Sequence, residues 1–258
     1  MEQSKIKIKI IVATHKDYWT MEDPVYLPLH VGAAGKEDFG FRRDDTGENI
    51  SIKNPNYCEL TALYWAWKNL DADFLGLVHY RRYFTRKEVH GSYAKRKEIL
   101  TEEEWKKILS DYSVVVADRR KYYIETNRSH YNHAHYREGL DVAEQVIKEK
   151  FPEYSEAFAK VMNRTWAHMF NMFVMRRDLF DQYMSWLFSV LDDVEKRVEI
   201  NEWNEYESRI YGFVAELMLD VWLEKNKFIY KEQNVSFMER QNWIKKGGLF
   251  IKRKFFGH

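Results

Sequence analysis

The chain has 258 residues, with 41 Lys and Arg against 40 Asp and Glu, so a net charge of +1 gives no global drive toward nucleic acid. A single cysteine, Cys58, excludes internal disulfides and any multi-cysteine zinc site. Hydrophobic content of 45% supports a sizeable core, while no apolar run approaches the ~20 residues that cross a bilayer.

The amino terminus, MEQSKIKIKIIVA, lacks signal-peptide architecture because lysines interrupt its apolar run, so a cytoplasmic location is expected. Residues 5–13 alternate and then become continuously apolar and β-branched, which predicts a strand entering a core. It runs into Thr14, His15 and Lys16, at the edge where open α/β sheets bind ligands. A second strand is expected over 26–33, before a Gly- and Asp-rich loop to Glu48. Residues 54–70 read as one helix capped by Asn54, with Pro55 in its first turn. DFLGLVHY is then a short buried strand, and 85–100 a basic excursion. Thr101 with Glu104 predicts a capping box for a helix ending near Leu109. Tyr112 to Ala117 is the next strand. Helices follow over about 133–150, stopped by Pro152, and 153–163. MFNMFVMRR is strand-like. Two further helices, 178–196 and about 207–225, precede a last strand over 228–235. This pattern is α/β in its first half and helix-rich in its second, organised as one domain over 1–240 with a basic aromatic tail over 241–258.

P-loop and dinucleotide fingerprints are absent, as is a G-x-S-x-G elbow. Cys58 sits beside Glu59, whose charge raises a thiol pKa, so a packed cysteine is expected in place of a nucleophile. His130, His133 and His135 cluster, but a spacing of two on a helix points side chains to different faces, which argues against a metal site. The stretch LVHYRRYF ends a buried strand on His79, Tyr80, Arg81, Arg82 and Tyr83. Paired guanidiniums there can fork onto phosphate oxygens, and phenols can stack on a ring or bond hydroxyls.

These segments, with IVATHKDY, CELTALYWAWKN, FPEY, NMFVMRRDLFDQYMSWLF and RIYGFVAELMLDVWL, resemble the bacterial capsular and exopolysaccharide glycosyltransferases that carry an HYRRYF signature, long filed as a domain of unknown function. The resemblance spans about residues 7–235. It implies a GT-A-like nucleotide-sugar-binding sheet flanked by helices, with a helix-rich C-terminal portion. It also implies transfer of a hexose, galactofuranose or galactose, from a UDP-sugar to a hydroxyl of a lipid-linked polysaccharide precursor.

On that resemblance Thr14, His15, His79, Tyr80, Arg81, Arg82, Tyr83, His168 and Asn171 are expected to bind the donor. Tyr131, His135 and Arg209 are expected at the acceptor or behind it. Many GT-A enzymes hold a divalent metal with Asp-x-Asp after the mid-sheet strand, where this chain has His79 to Tyr83. Metal independence is therefore expected, with Arg81 and Arg82 neutralising the diphosphate and Mg or Mn as the alternative. Asp71-Ala72-Asp73 precedes the strand, at the wrong end for that role. An inverting reaction needs a base. Glu216, Glu207 and Asp118 are the candidates, with Glu205 beside them, and the sequence does not choose among them. The tail mixes lysines with Leu249, Phe250, Ile251, Phe255 and Phe256, which suits peripheral contact with the inner face of the plasma membrane. No nucleic-acid partner is expected. The competing reading is a non-catalytic carbohydrate- or nucleotide-phosphate-binding protein.

Overall fold

The computed structural model describes residues 6–87, 89 and 92–239, without the side chains of Ser92 and Tyr93; the tail expected over 241–258 lies outside them. In chain order the strands are β1 (Ile8–Thr14), β2 (Tyr26–His30), β3 (Arg42–Arg43), β4 (Phe74–His79), β5 (Arg82–Phe84), β6 (Val114–Ala117), β7 (Arg120–Lys121), β8 (Trp166–Ala167), β9 (Phe173–Arg176), β10 (Lys231–Gln233) and β11 (Val235–Phe237). The helices are α1 (Asn54–Tyr57), α2 (Leu60–Asn69), α3 (Ser92–Lys97), α4 (Glu102–Asp111), α5 (Asn127–Ala134), α6 (Glu138–Lys150), α7 (Ser155–Met162), α8 (Arg177–Glu195) and α9 (Ile210–Asn226).

The main sheet runs β10-β6-β9-β4-β1-β2-β3, parallel throughout except for β9, which is antiparallel to both neighbours. Strand β1 explains its own centrality. Ile8, Ile10 and Val12 pack into one layer with Trp105 of α4. Ile11 and Ala13 pack into the other, beneath α2, α6, α8 and α9. Period-two alternation with both faces apolar is what a strand buried on both sides requires. Gly76 of β4 has a local reason: a Cβ there would lie 2.6 Å from the Phe173 carbonyl of β9. The expected fold class, a GT-A-like sheet flanked by helices with a helix-rich C-terminal portion, is the one observed.

Four boundaries differ from expectation, and each shapes the site. The helix expected over 54–70 breaks at Cys58, which adopts φ 53° and ψ −132°. Asn54 donates its side-chain amide to the Cys58 carbonyl at 2.7 Å, holding the break. Cys58 therefore lies between helices, and Glu59 is the N-cap residue of α2. The helix expected over 133–150 is two helices. His135 is extended at φ −142°, its ring stacks on Phe213 at 3.8 Å, and the Tyr136 amide donates to Glu207 at 3.1 Å in place of continuing the helix. The stretch HYRRYF turns back on itself: His79 pairs antiparallel with Arg82, so Tyr80 and Arg81 form a tight hairpin tip. Finally, the strand expected over 228–235 is two strands, β10 parallel to β6 and β11 antiparallel to β5. The capping box stands, since the Thr101 amide donates to Glu104 at 2.9 Å.

Candidate functional site

At the carboxyl ends of β1 and β4 a cavity of about 1100 Å³ opens, walled by α1, α5 and the start of α9. Such a volume lies at the upper end of small-molecule pockets. His15, His79, Tyr80, Arg81, Arg82, Tyr131, His135, Glu205, Arg209 and Glu216 line it, so the structure brings ten sequence-selected residues into one space.

Its adjacent arginines, Arg81 and Arg82, come from the hairpin. Arg82 lies with its guanidinium over Phe170 at 4.5 Å and Phe237 at 5.1 Å, and its buried Nε has no hydrogen-bond partner among the described residues. Burial pulls its pKa below the ordinary value. Arg81, with its side chain 43% exposed, lies over Tyr80 at 4.8 Å and pairs with Glu239 at 3.1 Å. His15, edge-on to Tyr80, has its pKa lowered by burial and then by the charges of Arg81, Lys16, Lys36 and Arg209. A group crowded by four cations marks a place that attracts an anion.

The acidic group lies on α9. Glu216 lines the cavity, partly exposed to it yet surrounded by protein. Burial, and then the nearby charge of Glu59, raise its carboxyl to about 7; Arg82, the Phe170 amide and Arg120 pull the other way. Two carboxylates close together in a poorly solvated site cannot both ionise freely, which leaves one poised near neutrality.

Against both groups runs the loop from His168 to Met172, which crosses α9 antiparallel. The His168 amide donates to Asp220 at 2.9 Å and its ring Nδ1 to the same carboxylate at 2.5 Å. The Phe170 amide donates to Glu216 at 3.2 Å. Asn171 donates to the Gly212 carbonyl at 3.3 Å and to Glu59 at 2.7 Å. Residues 212, 216 and 220 are each four apart and so share one helix face. The Phe170 carbonyl accepts from His79 Nε2 at 2.7 Å, which fixes that imidazole as the Nε2–H tautomer while burial lowers its pKa. Phe170 and Asn171 both take positive φ, 77° and 52°, an uncommon pair for non-glycine residues. Asp220→Asn removes the charge that anchors this loop. We expect a loss of about 1–3 kcal/mol in urea-unfolding stability; an unchanged midpoint would show the anchor to be dispensable.

Several sequence-selected residues lie elsewhere. Thr14 is buried and donates its hydroxyl to the Lys16 carbonyl at 2.7 Å, shaping the turn. Tyr83 alternates away from Arg82 into the core against Tyr26. His168 and Asn171 are buried and act through the loop they hold. Glu207 is 3% exposed and holds the Tyr136 amide. Asp118 is exposed beyond β6 and does not line the cavity. Asp73 accepts the Lys7 amide at the amino edge of the sheet, and Asp71 pairs with Lys7 there, far from the hairpin. Cys58 lines the cavity, but burial and Glu59 push its thiol up to about 12, despite a hydrogen bond from Arg209 at 3.1 Å. Glu125 bridges His130 and His133, each at 3.0 Å. Among the described residues no three His, Cys, Asp or Glu side chains group closely enough to hold a metal ion.

Sequence reasoning missed Glu59, Phe170 and Lys36. Glu59 carried a signal only as the neighbour of Cys58; its place in the cavity depends on a helix break that no glycine or proline announces.

A protein family described as a domain of unknown function, DUF4422, matches residues 9–227. The chain belongs to the DUF4422 family. A solved structure, the apo form of the WbbM bifunctional glycosyltransferase, is 31% identical with a TM-score of 0.82. The match covers 91% of this chain and 46% of that one, so this DUF4422 chain spans less than half the length of the glycosyltransferase it resembles. No curated protein matches.

Proposed function

We propose that this DUF4422 protein is a glycosyltransferase that moves a hexose from a UDP-sugar to a hydroxyl of a lipid-linked polysaccharide precursor, as in capsule or exopolysaccharide synthesis. The observation that carries the proposal is one cavity that gathers Arg81 and Arg82 with a carboxyl raised to about 7. Likeness to the WbbM structure supports the same reading. Arg82 and Arg81 hold the diphosphate, on which charge grows as the sugar C1–O bond breaks. The acceptor oxygen forms the new bond to C1, and its proton passes to Glu216. Glu216 is chosen over Glu207 and Asp118 because it alone of the three lines the cavity. Tyr131, His135 and Arg209 also line the cavity, and the acceptor is assigned to them. Arginine in place of a metal is part of the proposal.

Calorimetric titration with UDP, with and without a divalent ion, tests it. We expect binding in both conditions, and its absence in both would sink the proposal. A donor screen for hydrolysis then separates an enzyme from a binding protein. Turnover is expected to rise with pH through about 7 as Glu216 ionises; a rate flat between pH 5 and 8 would remove Glu216 from the role of base.

A further inference from the structure

Beyond β6 the chain forms a short ribbon, β7 paired with β8, and then a projecting tip at Tyr122–Glu125. Tyr123 and Ile124 are each 82% exposed. Fraying does not explain this. The Ile124 amide bonds the Tyr122 carbonyl at 2.7 Å across Tyr123, whose φ is 63°, forming a tight three-residue turn. On one side the Tyr122 amide donates to the Thr165 carbonyl at 2.7 Å. On the other, Glu125 is 5% exposed and holds two histidines, and the buried Asn127 side chain donates to the Val161 and Trp166 carbonyls. A firmly held base thus presents two large apolar side chains to solvent.

The residues leading into the tip are Arg119, Arg120 and Lys121, all exposed. Arg119 is paired with Glu232. Arg120 and Lys121 have no ion-pair partner among the described residues. We propose that residues 120–124 dock the protein on an anionic lipid surface, with Tyr123 and Ile124 entering the headgroup region and Arg120 and Lys121 meeting lipid phosphates. Cations beside an aromatic and an aliphatic side chain suit that interface, where a phenol keeps its ring in the apolar layer and its hydroxyl in water. A tip of two side chains falls far short of the roughly 800 Å² per partner that a stable protein interface buries. Position adds the second reason: Arg120 and Tyr122 also line the cavity, so docking here brings the cavity mouth to the membrane plane. The exposed tip and its cations carry the inference without the transfer reaction; the reason from position rests on the proposed lipid-linked acceptor.

The test is co-sedimentation of the full chain with vesicles of phosphatidylcholine alone and of phosphatidylcholine with phosphatidylglycerol. The wild type is expected to partition onto the anionic vesicles, and less so as salt rises. Tyr123→Ser combined with Ile124→Ser should lower that partition roughly tenfold. Because both side chains are exposed, its melting temperature and UDP binding should match the wild type. Lys121→Glu should weaken partition onto anionic vesicles only. Equal partition of the double variant and the wild type overturns the proposal, as does a wild type that binds neither vesicle. Vesicle binding through the tip without turnover of any UDP-sugar would overturn the transfer reaction and leave this inference standing.

Discussion

Glu216→Gln should lower kcat for sugar transfer by about 10²–10⁴-fold while UDP binds as before, because the change removes the proton acceptor and keeps the shape. The amide can still accept the Phe170 N–H, so the loop across α9 should hold its course. The stability prediction has an unusual sign. The carboxyl is held at about 7 in the folded protein, above its ordinary 4.5. A raised carboxyl is neutral in the fold below that range and is forced to ionise in a poorly solvated site as pH rises through about 7. Its stabilising contribution is thus lost across pH 4.5 to 7. The Gln variant avoids this ionisation. At pH 8 its melting temperature should equal or exceed that of the wild type, and at pH 5 the two should converge. Loss of activity with a lower melting temperature at pH 8 would mean that the residue serves the fold, and another group would have to be the base.

Arg82→Ala should weaken UDP binding by roughly 10- to 100-fold, the worth of about 1.5–3 kcal/mol for a hydrogen bond to a charged group. Arg81→Ala should cost less, because Arg81 is already shared with Glu239. Arg96→Ala should cost least, since Arg96 lies over Trp19 outside the cavity. A second consequence separates Arg82 from a generic basic surface. Its charge holds the Glu216 carboxyl down, so its removal should move the acidic limb of activity to higher pH. Equal effects of all three substitutions on UDP binding, read by calorimetry, would reduce the hairpin to part of a diffuse basic patch.

Much of this was legible in residue order. The alternation in Ile8–Ala13 and the continuous apolar run of Phe74–Val78 place the two central strands, because burial on both faces demands side chains that water would penalise on either. Positions at strand ends placed His15, His79, Arg81 and Arg82 in one cavity, since the carboxyl edge of a parallel sheet gathers residues far apart in sequence. Thr101 and Glu104 fixed a helix start through local hydrogen bonds that need no tertiary partner.

Other features had no local signal. Cys58 leaves the helix because the side chain of Asn54 captures its carbonyl, and that turn, unmarked by glycine or proline, aims Glu59 at Glu216. His135 ends α5 because Phe213 and Glu207, more than seventy residues away, offer its segment better partners than another helical turn. Tyr83 and Arg82 are adjacent, yet the pleat sends one into the core and the other into the cavity. Residue order alone located β1, β2, β4, β6 and β9, most of the helices and the sheet edge that carries the candidate site, because these follow from burial patterns within a few residues. Which carboxylate faces the cations emerged only from the folded arrangement. Proton affinity depends on desolvation and on neighbouring charge, and both are properties of groups brought together in space.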